Sequence, residues 1–97
     1  MAEFRASLHD AVPDSTLSPA LAALWWAAKG DWDQAHRIVM NESDASSAWV
    51  HAYLHRVEGD LGNAGYWYRQ SGQPEAIDSL DAEWERIVFT LQLGERA

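Results

Sequence analysis

Apolar residues recur at intervals of three and four along most of the chain, the spacing expected for amphipathic helices. The pattern predicts a short N-terminal helix carrying Phe4, Leu8 and Val12, ended by Pro13. Five further helices are predicted over 18–29, 32–41, 45–58, 61–71 and 79–93, with Gly94 ending the last. The inward positions are Leu21, Leu24, Trp25, Ala28, Trp32, Ala35, Ile38, Val39, Leu61, Ala64, Trp67, Tyr68, Leu80, Trp84, Ile87, Val88 and Leu91. The helix over 45–58 carries Trp49, Val50, Ala52, Tyr53, Leu54 and Val57. No segment alternates with period two for long enough to predict a strand, so the fold is expected to be all-α.

Capping residues separate the predicted helices. Ser18-Pro19 is a helix start, because serine accepts backbone N–H groups and proline at the first position lacks a donor that would be unpaired anyway. Gly30-Asp31 and Gly59-Asp60 each combine a residue that tolerates positive φ with an N-cap residue. We therefore predict a positive φ at Gly59, and an Asp60 side chain that accepts a backbone N–H of residue 62 or 63.

The middle of the chain contains an internal repeat. G-D-W-D-Q-A at 30–35 and G-D-L-G-N-A at 59–64 share their glycine, aspartate and last alanine, and Ala23 aligns with Ala52 at the same offset. The pattern resembles tetratricopeptide-like helical hairpins. The resemblance implies two antiparallel hairpins, 18–41 and 45–71, in a right-handed helical array, with the 79–93 helix as a cap. The stretch 55–68, H-R-V-E-G-D-L-G-N-A-G-Y-W-Y, is also similar to small bacterial proteins with that spacing, a likeness that implies no function.

Composition limits the classes of partner. A chain of 97 residues with 47% hydrophobic residues is expected to form one domain, 1–97. A net charge of −8 argues against binding nucleic acid, whose phosphates require clustered lysine and arginine. No apolar run is long enough to span a bilayer and no secretory signal is recognisable, so no membrane partner and a cytoplasmic location are expected. Six tryptophans in so short a chain exceed what one small core hides easily, which suggests a homodimer.

His51, His55 and Glu58 form the first candidate site. Their spacing of four and three places them on one helix face, where two imidazoles and a carboxylate can hold a metal ion or a small ligand. The signal is weaker than H-E-x-x-H, because Ala52 stands where the catalytic glutamate would be. The alternative, which we weigh more heavily, is a pair of structural histidines at the core edge, bonded to a neighbour such as Asn63, Tyr66 or Tyr68.

Two aromatic groups could bind a partner or ligand. Tyr66 and Arg69 are expected on the exposed side of their helix, because Trp67 and Tyr68 take the inward positions. A second set, Trp49, Tyr53 and Arg56, shares the face that tetratricopeptide-like folds turn toward a bound peptide. The alternative for this set is burial against the N-terminal or the last helix.

No catalytic signature occurs: the chain lacks cysteine, a glycine-rich phosphate loop and a Ser/His/Asp arrangement. The sequence therefore favours a non-enzymatic adaptor that binds an unidentified protein or peptide, with no cofactor. The alternative is a small-molecule or metal-binding protein, enzymatic or not, with its site at His51, His55 and Glu58.

Overall fold

The computed structural model describes residues 1–96, and over this range the chain forms helices and no strand. The helices are α1 (Ala2–Ala6), a 3-10 turn (Ser7–His9), α2 (Pro19–Ala28), α3 (Trp32–Met40), α4 (Ala45–Val57), α5 (Leu61–Ser71) and α6 (Leu80–Arg96). The predicted all-α fold is confirmed. Ala97, the last residue of the predicted domain, lies outside the described residues. No helix within this range combines the length and apolar composition needed to cross a membrane.

Side-chain caps fix the starts of four helices. Ser18 accepts the Leu21 N–H at 3.3 Å, and Asp44 accepts the Ser47 N–H at 3.0 Å. Asp31 and Asp60 do the same three residues into their helices, at 3.0 and 3.3 Å. Each bond satisfies a backbone donor that has no partner inside its helix. The predicted acceptor role of Asp60 is confirmed, with residue 63 as the donor.

Five sequence predictions need correction. Ala28 and Leu80 were predicted to face inward and are exposed, because they are the last residue of α2 and the first residue of α6. α6 continues through Gly94 to Arg96, because a glycine lowers helix stability without excluding helical dihedral angles. α1 ends at Ala6 and the 3-10 turn ends before an extended Asp10, so Val12 leaves the Phe4–Leu8 stripe and is 64% exposed. Leu61 is 66% exposed, since it stands at the first residue of α5, where no described element covers it.

Helix α4 is the centre of the core. Its residues 47–55 are buried without interruption, because α4 contacts α2, α3, α5 and α6. Tryptophans from the surrounding helices pack around α4, and their indole N–H groups are hydrogen-bonded. Trp32 Nε1 donates to the Leu54 carbonyl at 2.7 Å, and Trp84 Nε1 donates to the Leu24 carbonyl at 2.9 Å. α1 docks on this body through Phe4, whose ring centroid lies 5.8 Å from that of Trp84.

A buried carboxylate joins three helices. Glu83 of α6 has no solvent exposure, and it accepts a bond from Arg56 Nη1 of α4 at 2.8 Å. The Tyr68 hydroxyl of α5 donates to its other oxygen. Burial, together with this carboxylate, raises the pKa of Tyr68. The side of α4 that faces α6 is therefore closed by both apolar packing and an ion pair.

The two glycine turns yield a stability test. Gly59 and Gly30 have φ values of +87° and +85°, which confirms the predicted conformation of Gly59, and a Cβ at either would meet no atom within 4 Å. We expect Gly59→Val and Gly30→Val each to lower the free energy of unfolding by more than about 1 kcal/mol, through backbone strain alone. Urea denaturation measures this.

Gly62 is the matched control for those variants. It lies in the first turn of α5 with negative φ and open space around its Cα. Gly62→Ala should therefore raise the stability, by up to about 1 kcal/mol. A loss at Gly59 without a loss at Gly30 would contradict the structural equivalence of the two turns.

Candidate functional site

Three histidines meet where α3 packs against α4. His51 and His55 lie one turn apart on α4, as the spacing predicts, and α3 adds His36, which the sequence analysis did not select. His36 Nε2 and His51 Nε2 are 3.0 Å apart. One ring nitrogen from each of the three residues lies within 4.8 Å of the other two. We call His36, His51 and His55 the histidine cluster.

Two tryptophans enclose the histidine cluster. Trp32, one turn before His36, stacks on its ring with centroids 4.7 Å apart and planes at 11°. Trp67 of α5 stacks on His51 at 4.0 Å and 15°. His51 and His55 are also stacked, at 4.8 Å. The rings are thus held between indoles from neighbouring helices, and His51 and His55 are buried while His36 is partly exposed.

Glu58 orients the third imidazole. His55 Nδ1 lies 2.6 Å from Glu58 Oε1, three residues further along the chain. Because a carboxylate accepts, Nδ1 carries the proton, and in the neutral ring Nε2 then carries the lone pair. A carboxylate on the second nitrogen is the usual arrangement around metal-binding histidines, where it fixes the tautomer and increases ligand basicity. The predicted association of His55 with Glu58 is therefore present, with Glu58 beside the histidine cluster rather than within it.

Burial keeps His36 and His51 deprotonated. Desolvation, together with the neighbouring His36 and His55, lowers the pKa of His51 from 6.5 to about 4. Desolvation also lowers the pKa of His36, with a contribution from His55 in the same direction. Both rings are therefore neutral at neutral pH, the form that binds metal. His51 Nδ1 is buried and has no hydrogen-bond partner, so the packed rings alone leave one polar atom unsatisfied.

The nitrogen positions are close to those a metal ion requires. Two imidazole nitrogens on one tetrahedral zinc ion lie about 3.3 Å apart, because each Zn–N bond is about 2.0 Å long. The His36–His51 pair, at 3.0 Å, is already near this separation. The third nitrogen, on His55, lies within 4.8 Å of the other two, so the three rings must move closer together to hold one ion.

The other predicted ligand residues lie elsewhere. Tyr66 is 47% exposed and meets Trp67 edge-on. Arg69 lies beside Gly65 and Glu75 on the outer side of α5. The expected histidine partners Asn63, Tyr66 and Tyr68 are not those observed, because α3 supplies His36 and the chain beyond α4 supplies Glu58.

The predicted partner-binding face is largely internal. Trp49 and Tyr53 are 6% and 7% exposed, and Arg56 bonds to Glu83 and to the Asp78 carbonyl. This face of α4 packs against α6 and the segment before it, so burial, the alternative raised for these residues, is what the structure shows. Burial and the nearby Glu83 carboxylate raise the pKa of Tyr53 to about 12.

The lowered pKa of His51 gives a pH dependence with a defined sign. The unfolded chain binds a proton below about pH 6.5, whereas the folded chain binds one only near pH 4. The free energy of unfolding of the protein in chelator should therefore decrease as the pH falls from 6.5 to 4. The hydrogen bond from Arg86 lowers the pKa of Asp78 below its ordinary value of 3.8. Protonation of Asp78 therefore lowers the free energy of unfolding only below about pH 3.8, outside the range in which His51 acts.

Urea denaturation between pH 7 and pH 4 measures this decrease. His51→Phe removes the titrating ring and keeps an aromatic surface against Trp67, so its stability should depend less on pH in that window. An equal decrease in the variant would assign the effect to other groups.

Comparison with family models, with curated proteins and with solved structures finds no match for this chain. The function is therefore argued from the histidine cluster and its surroundings.

Proposed function

We propose that this protein binds a transition-metal ion through His36, His51 and His55, with Glu58 orienting His55. The observation that carries the proposal is the convergence of three imidazole nitrogens within 4.8 Å, from two helices. It develops the metal-binding alternative raised by the spacing of His51, His55 and Glu58, and His36 takes the ligand position first expected for Glu58.

The chemistry of the donors selects the class of ion. Neutral imidazole suits zinc, copper, nickel and cobalt, whereas calcium and magnesium need oxygen ligands that the histidine cluster does not provide. The chain has no cysteine, so a thiolate site is excluded. Zinc is the ion we propose, because three histidines are a frequent zinc ligand set.

Electrostatics favour a cation at this position. The net charge is −8, and Glu58 and Asp33 are the two carboxylates whose charges favour protonation of His36. The same negative potential attracts a divalent cation.

Stoichiometric metal binding tests the proposal. Protein purified without a histidine tag and stripped with chelator should bind one zinc ion per chain in isothermal titration calorimetry. His36→Gln should weaken the affinity by at least about tenfold, because one of three ligands is lost. His36 is partly exposed, so this variant is expected to fold.

His9 provides the matched control. It is exposed, in the 3-10 turn after α1, and is not part of the histidine cluster. His9→Gln should therefore bind zinc like the unmodified chain. Equal loss in both variants, or no binding by the unmodified chain, would contradict a site at the histidine cluster.

A second candidate function is that of an adaptor with tetratricopeptide-like hairpins, the leading interpretation of the sequence. One observation favours it: the accessible edge of Trp49 lines a surface depression of about 370 Å³ together with Pro74, Ala76 and Ile77. Ile77 is 98% exposed, an unusual position for so large an apolar side chain. A peptide or a second copy of the chain could cover this depression and contact Ile77 and the edge of Trp49.

Ile77→Ser tests the adaptor role. The variant should no longer capture a partner from cell extract, or no longer self-associate in light scattering. Its melting temperature should be unchanged, because Ile77 contributes little to the core. Val12→Ser, at another exposed apolar residue, is the control. If the unmodified protein is a monomer and captures no partner, the adaptor role is contradicted.

A further inference from the structure

The protein supplies three donors to the proposed metal ion and has its nearby carboxylates engaged elsewhere. Within residues 1–96, no fourth imidazole or carboxylate joins the group formed by His36, His51 and His55. Glu58 is held by His55 Nδ1 at 2.6 Å, and Asp60 caps α5 through the Asn63 N–H. Zinc, cobalt and nickel take four or more ligands, so three nitrogens leave the coordination incomplete.

The surroundings of the cluster leave one side open. Trp32 covers the ring of His36, and Trp67 covers the ring of His51. His36 is nevertheless partly exposed, and the Glu58 side chain is 39% exposed. The cluster is therefore not fully enclosed: solvent reaches it at His36 and at the Glu58 side chain.

Charge determines the kind of ligand that fits. Three neutral imidazoles leave a divalent ion with its full charge of two, and the nearest carboxylate, Glu58, is bonded to His55. A divalent ion held by neutral ligands favours an anion in its remaining coordination position. A large polyanion is disfavoured by the net charge of −8 on the protein.

We propose that the metal ion held by the histidine cluster keeps one coordination position that exchanges with a small monoanion from solution. This inference rests on the proposed metal site and extends it: the centre is of the open type found in zinc enzymes rather than the saturated type that only supports a fold. Glu58 acts on the orientation of His55 and does not occupy the fourth position.

Cobalt substitution with azide as the probe tests the open position. Cobalt(II) absorbs in the visible range, and its bands depend on the number and geometry of its ligands. The full chain, stripped of metal and loaded with one equivalent of cobalt, should show a saturable spectral change when azide is added. His36→Gln, which should bind cobalt at least about tenfold more weakly, is the control: its spectral change should be smaller at the same cobalt concentration if the signal comes from the site rather than from cobalt in the buffer.

Glu58→Gln separates an open position from one that the protein fills. The amide oxygen of glutamine can still accept a hydrogen bond from His55 Nδ1, so the ring remains oriented. Because the side chain of residue 58 is 39% exposed, the variant is expected to fold. Azide should change the spectra of both the unmodified and the Glu58→Gln protein. A response only in Glu58→Gln would show that Glu58 is the fourth ligand, and no response in either would show a closed centre.

A response only in Glu58→Gln, or no response in either protein, contradicts the open position. Both results leave the metal site intact, because cobalt is bound in each case. Failure to bind cobalt and zinc at all is a different outcome. It overturns the proposed function, and the exchangeable position with it.

Discussion

The buried charge of Glu83 is the constraint on which the arrangement of the helices depends. A carboxylate without solvent exposure is strongly destabilising unless a cation and hydrogen-bond donors surround it. Arg56 from α4 and Tyr68 from α5 meet that requirement at one position of α6. A shift of α6 along α4 by one turn would move Glu83 away from both partners, so the ion pair opposes a change of register.

The register of α6 also divides α4 into two sides with different roles. Trp49, Tyr53 and Arg56 face α6 and the segment before it, and they are used for folding. His51 and His55 face α3 and α5, where Trp32 and Trp67 supply the walls. One side of α4 is therefore closed by the core and the ion pair, and the other side holds the stacked rings, including the unsatisfied His51 Nδ1.

The helices could be predicted from the sequence because their signals are local. Ser18, Asp31 and Asp60 cap the helices they precede through bonds three residues away. The errors come from ends where a local rule meets competing contacts. Gly94 was expected to end α6, and the helix passes through it, since a glycine near a terminus costs only about 1 kcal/mol.

The site was predicted in part for a similar reason. The one-face arrangement of His51, His55 and Glu58 follows from helical spacing alone. His36 could not be placed by that argument, because its contact with His51 depends on how α3 packs against α4. A signal was nonetheless present: His36 follows Trp32 by four residues and therefore shares the apolar side of its helix. A histidine on such a side needs a partner, and the packing supplies one.

The division of the histidine cluster between α3 and α4 has a consequence for how the chain can vary in length. Surface connections usually accept inserted residues with little effect on the elements they join. The connection at 41–44 is different, since it sets the offset between His36 and the two histidines of α4. Extra residues there would leave every helix cap in place and still change the spacing of the rings. The segment 72–79 does not join these two helices, so its length does not enter the spacing of the rings.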